Sequence, residues 1–477
     1  MVAGAGRAGM AAARALAQRA GPDAVTVWDG LDGEREHAVA TELLAAGIRT
    51  RHGAGTELLD GPSAPGAVIK SPGLRADEPF LRAARSRGVA VLDEAELGWR
   101  LDDRPLAGIT GTNGKSTTTA LVAALLAAAG LRPVTAGNSR FGVPLSAAAD
   151  VPGDVVVAEL SSFQLEGCPA LLPEAAVLTN LTHDHRYRHG SAEAYAACKR
   201  RLLARDDAVT PVAAIGVDQP FGAHLAAELR ERGARVVTFG RDPGADVAIT
   251  AAEPALGGMR VTLGGPAGSR TLRSRLSGGH NALNLAGALA LADGLEIDPD
   301  VALEVLAGVD PLPGRFERVG GARFDVVVDY AHNPDGIAAA LDAGRAILDA
   351  RGGGRLHVVL SALSLVGSEQ AHAMGAAAAA RADRLVLTTQ RWTPDDPAGV
   401  LSPGLLDGAR AAARAAIDVE PDRAAAIAAG IGGAAAGDVV LVLERGELGS
   451  PLLDDADRAV PFDDRVQARA ALAAVGG

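Results

Sequence analysis

Residues 108–117 read GITGTNGKST. They begin within an apolar run, PLAGIT (105–110), and lead into ALVAALLAAAG at 120–130, which reads as a helix. A strand, a glycine-rich turn and a helix in that order form the setting of a phosphate-binding loop. Small residues let backbone N–H groups close around phosphate oxygens, and the helix N-terminus adds partial positive charge. On this reading Gly111, Thr112, Asn113, Gly114 and Thr117 line the cradle. Lys115 reaches the β- and γ-phosphates, and the Ser116 hydroxyl ligands Mg²⁺. The strict pattern wants glycine at 109, where the chain has Ile109, with Gly108 one place earlier. A bare Gly-Lys-Ser would be read as a surface turn with a solvated lysine; the surrounding strand and helix favour nucleotide binding.

The same alternation of short apolar runs and helical patterns extends in both directions. Upstream, VTVWD (25–29), AVIK (67–70) and VAVLD (89–93) read as buried parallel strands, with helices at 11–20, 34–46 and 78–87. Asp102-Asp103-Arg104-Pro105 marks a boundary. Downstream, VVVAEL (155–160) and AAVLTNL (175–181) continue the second block. RVVTFG, DVAIT, MRVTLG and TLRSRL, between 235 and 276, form an antiparallel excursion, and helical pattern returns from Gly279 to about Leu306. Pro311, Pro313 and Gly314 mark a second linker. FDVVVDY, RLHVVLS, RLVLTT and DVVLVLE then alternate with Ala-rich helices. The expectation is three consecutive α/β domains, at 1–102, 103–309 and 310–477, the first and last Rossmann-like.

Length agrees: 477 residues at roughly 150 per domain is about three. The 48% hydrophobic and 22% charged composition argues against disorder. A net charge of −12 disfavours nucleic acid as a general partner. Two cysteines, Cys168 and Cys198, make neither a disulfide framework nor a Cys-rich zinc site. The run at 120–130 is too short to span a bilayer. The N-terminal MVAGAGRAGMAAARALA superficially resembles a signal peptide, but its glycine spacing has a better explanation. The chain reads as soluble and cytoplasmic, with no membrane partner.

Gly4, Gly6 and Gly9 form G-x-G-x-x-G, and Asp29 ends the next strand. This is a dinucleotide fingerprint: a tight turn, a phosphate on a helix N-terminus, an acid on the ribose. Any ligand with a diphosphate and a ribose suits it, a UDP-sugar included, and an empty strand–helix turn stays open in so Gly- and Ala-rich a chain. Glu159 ends a buried strand, where ligands sit in open α/β sheets and a carboxylate can hold Mg²⁺. The following strand runs into THDHRYRHGS, where Asp184, His185 and His189 cluster beside His183. They make either a metal or substrate site or a polar surface loop. A helix capped by Ser191 then carries Lys199, which in isolation reads as solvated, and Cys198, which reads as core filling.

Taken together these stretches resemble the Mur ligase superfamily, ATP-dependent amide-bond ligases of peptidoglycan precursor synthesis. TGTNGKS, AELSSFQLE, LTHDH with a lysine-bearing helix after it, GGHNALNLAGALA, PGRFE and VVVDYAHNPDG occur in the family's order. The resemblance implies a UDP-substrate domain, a central ATPase domain and a C-terminal amino-acid domain. It implies ATP, two Mg²⁺ ions and an acyl-phosphate intermediate. By motif it implies Mg²⁺ contacts for Ser116, Glu159 and His185, and a CO₂-carbamylated Lys199 that organises the metal site. It places Asn281 at the adenine, Arg315 near the γ-phosphate, Asp329 near the ATP ribose and Asn138 near the UDP-muramoyl substrate. Within the family, VAGAGRAGMAAARAL and VIKSPGLRADEPF resemble the D-glutamate-adding branch. That implies UDP contacts for Gly4, Gly6, Arg7, Gly9, Asp29 and the Ser71-Pro72-Gly73 turn, and UDP-N-acetylmuramoyl-L-alanine and D-glutamate as substrates of a monomeric enzyme.

Three departures stand out. GNSRFGVP is two residues longer than the usual segment, Tyr187 replaces the second acid of D-H-x-D, and DYAHNP (329–334) replaces the D-glutamate branch's usual motif. The last is more like other branches, so a Mur-type ligase for another amino acid or acceptor stays open, as does a non-catalytic nucleotide-binding protein. Arg391 and Arg445 each follow an expected strand and are candidates for holding a dicarboxylate amino acid.

Overall fold

A computed structural model describes the chain except residues 32–33, 62–63, 183, 256, 267, 363–365, 390–403, 413, 447–451, 454–458 and 477. Arg391 and His183 therefore lie outside the described residues. Two compact units emerge, one comprising 1–181, 188–239 and 287–302, the other 182–187, 240–286 and 303–477.

The first unit opens with a five-stranded parallel sheet in the order Arg49–His52, Thr26–Asp29, Val2–Ala3, Ala67–Lys70, Ala90–Asp93. The expected inner strands are there because Val25, Val27, Trp28, Val68 and Ile69 are buried. Trp28 stacks on Phe80 with ring centroids 4.1 Å apart. The strand Arg49–His52 escaped the apolar pattern: it reads RTRH and forms an edge, where one side is free to stay polar. Asp93 caps the helix Glu94–Leu101, accepting from Ala95 N at 3.0 Å, and pairs with the buried Lys70 at 2.7 Å.

The same unit holds a run of parallel strands in the order Arg235–Gly240, Val212–Gly216, Ala175–Leu178, Leu106–Thr110, Val155–Glu159, Pro133–Gly137. The phosphate-loop strand is thus interior, with Ile109 opposite Glu159 on one side and Thr110 opposite Leu178 on the other. This accounts for Ile109: the position belongs to the strand, is fully buried, and needs an apolar side chain rather than a flexible turn residue.

In the second unit Val247–Ala255, Gly258–Gly264 and Arg270–Ser274 form the expected antiparallel excursion. The helical stretch after Gly279 is two helices, Gly279–Gly294 and Pro299–Gly308. Glu296 between them adopts φ +60°, and Asp298 accepts from Asp300 N and Val301 N at 2.9 and 3.2 Å, starting the second helix at Pro299. The C-terminal sheet runs Glu317–Gly320, Asp325–Asp329, Val439–Leu443, Leu356–Leu360, Arg384–Leu387, Ala416–Val419, parallel except at its first pair. Ile337, Leu341 and Met374 cover one face and Ile427, Ile431 and Leu472 the other. No helix among the described residues is long and apolar enough to cross a membrane.

Candidate active site

Neighbouring strand ends build the site. Gly111 follows one strand, Leu160 the next and Thr179 the third, so their loops emerge side by side. Gly111 has φ +147°, and a Cβ there would collide with Thr179 Oγ1, so glycine is required. The loop is tied down from the Thr179-Asn180 side. Thr112 N donates to Asn180 O at 2.9 Å, Asn113 N to Asn180 Oδ1 at 3.0 Å, and Thr179 Oγ1 to Asn113 O at 2.7 Å. Gly114, at φ +86°, turns the chain into the helix Lys115–Ala128. Lys115 Nζ curls over the loop, donating to Gly111 O at 3.1 Å and Thr112 O at 2.8 Å.

Ser116 and Glu159 meet: the hydroxyl donates to Glu159 Oε2 at 2.6 Å. Asn138 Nδ2 donates to the other carboxylate oxygen at 3.0 Å. Glu159 is 3% exposed at the end of its strand. Two hard oxygen donors at a helix N-terminus suit Mg²⁺, which takes one or two protein oxygens and completes its shell with phosphate and water. Among the described residues no three His, Cys, Asp or Glu side chains gather as a metal cage.

Lys199 does not behave as the solvated helix lysine that its neighbours Arg200 and Arg201 suggest. It lies on the buried side of the helix Ala192–Arg200, 1% exposed, and donates to Gly111 O at 2.6 Å. Tyr195, one turn earlier on the same face, puts its ring 4.7 Å from Lys199 Nζ and its hydroxyl 3.1 Å from Thr112 Oγ1. Ser191 caps the helix as expected, accepting from Ala194 N. Cys198 is buried, and burial raises its thiol pKa above the ordinary value.

The histidines after Thr182 have different partners. Asp184 sits with Asn333 and Gln370, whose amides donate to its two oxygens at 3.1 and 3.0 Å. Burial pushes its carboxyl up, but His185, His332 and the Gln370 bond outweigh that and hold it below the usual range. His185 has φ +52°, and its Nδ1 faces the Tyr187 hydroxyl at 3.3 Å, so the residue replacing the second acid orients the imidazole. His189 instead lies 2.9 Å from Ser162 Oγ and 3.4 Å from Glu166.

In the first unit, Gly4 has φ +88°, and a Cβ on Gly9 would strike Gly4 O. Asp29 Oδ2 accepts from Ala5 N at 2.7 Å, so the acid braces the glycine turn. Arg7 donates to Ser139 O and Gly142 O, joining the turn to the segment after Asn138. That segment folds back on Thr135: Val143 N donates to Thr135 O at 3.1 Å, and a Cβ on Gly142 would strike the same oxygen. In the second unit Asn281 Nδ2 donates to Ser277 O at 2.8 Å, and Asp329 accepts from Phe316 N at 2.7 Å. His280 lies edge-on to Phe316 at 5.4 Å, and Arg315 stacks on Tyr330 at 4.2 Å. Arg445 follows Val439–Leu443 and is 2% exposed. Sequence reasoning passed over Thr179, Asn180 and Tyr195; the helical period back from Lys199 would have found the tyrosine.

A glycine-rich turn between strand and helix at the mouth of a parallel sheet, with a hydroxyl and a carboxylate converging beside it, has the form of a nucleotide-dependent enzyme's phosphate loop. A family model described as the Mur ligase middle domain matches residues 109–292, and one described as the Mur ligase glutamate ligase domain matches 314–446. The UDP-N-acetylmuramoyl-L-alanyl-D-glutamate–2,6-diaminopimelate ligase of Chromobacterium violaceum is 34% identical over 404 residues, 80% of this chain and 79% of that protein. The UDP-N-acetylmuramoylalanine–D-glutamate ligase of a Synechococcus strain is 46% identical over 218 residues, 43% of this chain and 44% of that protein. The crystal structure of the UDP-N-acetylmuramate–alanine ligase of Thermotoga maritima superposes with a TM-score of 0.60 at 20% identity, over 100% of this chain and 98% of that one. The chain belongs to the Mur ligase family and is an ATP-dependent, ADP-forming amide-bond ligase. Members of that family use ATP and Mg²⁺.

Proposed function

We propose that this enzyme adds D-glutamate to UDP-N-acetylmuramoyl-L-alanine in peptidoglycan precursor synthesis in the cytoplasm. We assign UDP-sugar, ATP and amino acid to domains at 1–102, 103–309 and 310–477. The observation that carries the reading is the higher identity to a D-glutamate ligase over the shorter stretch of chain. A carboxylate oxygen of the UDP-muramoyl substrate attacks the γ-phosphorus of ATP. The bond to the bridging oxygen breaks and ADP leaves, giving an acyl phosphate. The amine of the amino acid attacks the acyl carbon, sheds its proton, and the tetrahedral species collapses with loss of inorganic phosphate.

Both first reactants are anionic, so charge stabilisation dominates the barrier. Lys115 and the loop amides carry the phosphates. Ser116 and Glu159 would hold one Mg²⁺; His185 and a carbamylated Lys199 are assigned to a second, and the ions would supply the remaining positive charge. Asn281, Arg315 and Asp329 take the adenine, γ-phosphate and ribose. Gly4, Gly6, Arg7, Gly9, Asp29 and Ser71-Pro72-Gly73 hold the uridine diphosphate, with Asn138 toward the muramoyl group. Arg445, buried just past the end of its strand, is the candidate partner for the amino acid's carboxylates.

DYAHNP supports a second reading, the same chemistry with another amino acid. Phosphate release with UDP-N-acetylmuramoyl-L-alanine as acceptor, in competition between D-glutamate, L-glutamate, L-alanine and L-lysine, decides between them. D-Glutamate is expected to dominate; a clear preference for another amino acid removes the specificity and leaves the ligase chemistry standing.

A further inference from the structure

Arg188 lies between residues 72–74 and residues 163–166. Its Nε and Nη2 grip the Glu166 carboxylate at 3.0 and 2.8 Å, a bidentate pair. The same guanidinium donates to three consecutive carbonyls, Pro72 O at 3.3 Å, Gly73 O at 3.3 Å and Leu74 O at 2.6 Å. It lies 4.6 Å from the Phe163 ring centroid, and the Arg188 and Glu166 side chains are only 5% and 12% exposed. The turn it grips is closed by Leu74 N donating to Ser71 O at 3.1 Å and fastened by Ser71 N donating to Ala3 O at 2.8 Å. Its other side meets the glycine loop: Ser71 packs on Gly4, and Ser71 Oγ lies near Gly6.

We propose that Arg188 is a positioning residue for the UDP substrate, setting the Ser71-Pro72-Gly73 turn against the glycine loop from its carbonyl side. In a trans peptide the N–H points away from the C=O, so fixing the carbonyls of Pro72 and Leu74 fixes the direction of the Gly73 and Arg75 amides. Convergent backbone amides are what a diphosphate binds. Glu166 aims the guanidinium and offsets its charge, and Phe163 holds its plane. A lysine offers a point charge without the planar fork, so it cannot grip the carboxylate bidentately and still reach all three carbonyls. The inference rests on the glycine loop and this turn being the UDP site.

The test compares Arg188→Ala, Arg188→Lys and Gly6→Trp in the full-length enzyme, with steady-state kinetics for both nucleotides. Arg188→Ala is expected to raise KM for the UDP substrate by about tenfold or more, the scale of lost charge-assisted hydrogen bonds, with KM for ATP and saturated kcat within about threefold by the same reasoning. Arg188→Lys falls between, and added guanidinium ion lowers the raised KM of the alanine variant. Should the alanine variant fail to fold, the lysine variant carries the test alone. An unchanged UDP-substrate KM in a folded Arg188 variant, with Gly6→Trp losing the substrate, overturns the inference and leaves the UDP site standing. If neither variant moves that KM, both fall.

Discussion

Lys115→Ala is expected to reduce ATP-dependent ligation by at least about 10³-fold, into the background of a phosphate-release assay, while the protein unfolds at nearly the wild-type temperature. The two halves have separate physical grounds. Lys115 Nζ is held by Gly111 O and Thr112 O at 3.1 and 2.8 Å at a half-buried place, and Gly111 O keeps the hydrogen bond from Lys199 Nζ without it. The loop itself is fastened by Thr179 and Asn180, which the substitution does not touch. In the reaction as proposed, the γ-phosphate and the attacking carboxylate approach as anions. A cation preorganised in a water-poor site is then worth several kcal/mol in the transition state, about 10²–10³-fold for a single donor and more for a full charge. Near-normal turnover in a folded Lys115→Ala variant would remove the phosphate-loop assignment.

The fold was legible where burial and periodicity coincide. VTVWD, AVIK, VVVAEL and DVVLVLE carry strands enclosed on both faces, so their inner residues are mostly apolar, with the polar ones chiefly at the run ends, and the run announces itself. The edge strand Arg49–His52 was not legible, because an edge has no such constraint. The continuous helical pattern after Gly279 concealed a break, since the signal for it lies in the φ of Glu296 and the capping of Asp298 rather than in hydrophobic spacing. Ile109 looked like a flaw in a motif and is a strand residue, one place too early for the turn to need glycine there.

For the site, motif and environment divide the work. Gly111, Gly114, Ser116 and Glu159 are fixed by local backbone and strand-end position, which a sequence displays. Lys199 is the opposite case. Its immediate neighbours, Arg200 and Arg201, describe a solvated helix end, and only the helix's packing reveals that residue 199 faces inward while Arg200 turns to Glu228. Family resemblance singled it out for its position after LTHDH, but composition alone could not. Arg188 was invisible for a related reason: three of its acceptors are backbone carbonyls of residues 72–74, more than a hundred positions away, and carbonyls carry no sequence signature. Asp184, His185 and His189 look like one cluster along the chain, yet Asp184 and His185 keep company with Asn333, Gln370 and Tyr187, and His189 with Ser162 and Glu166.

Lys199→Ala is expected to lower ligation by about 10²–10³-fold, the cost of an electrostatic group at a phosphoryl-transfer site, and to regain part of it with formate or acetate. A buried ammonium is costly unless fully compensated. Lys199 is 1% exposed beside the phosphate loop, with Gly111 O and the face of Tyr195 among its surroundings. If the neutral amine adds CO₂ and releases a proton, the cation becomes an anion. One N–H survives on the carbamate nitrogen, so a donor for Gly111 O remains. The added carboxylate would then be a hard oxygen donor of the kind Mg²⁺ prefers, for the second ion. Alanine leaves a space of roughly the length of that chain, into which a small carboxylic acid can diffuse and restore the negative charge without the covalent link. Two observations separate this from a lysine that merely supports the fold. Wild-type protein equilibrated with ¹³C-bicarbonate should show a carbamate resonance that the alanine variant lacks. The carboxylate rescue should raise kcat in the variant and leave the wild type unchanged. A folded Lys199→Ala enzyme with full activity and no added acid would return the lysine to a packing role.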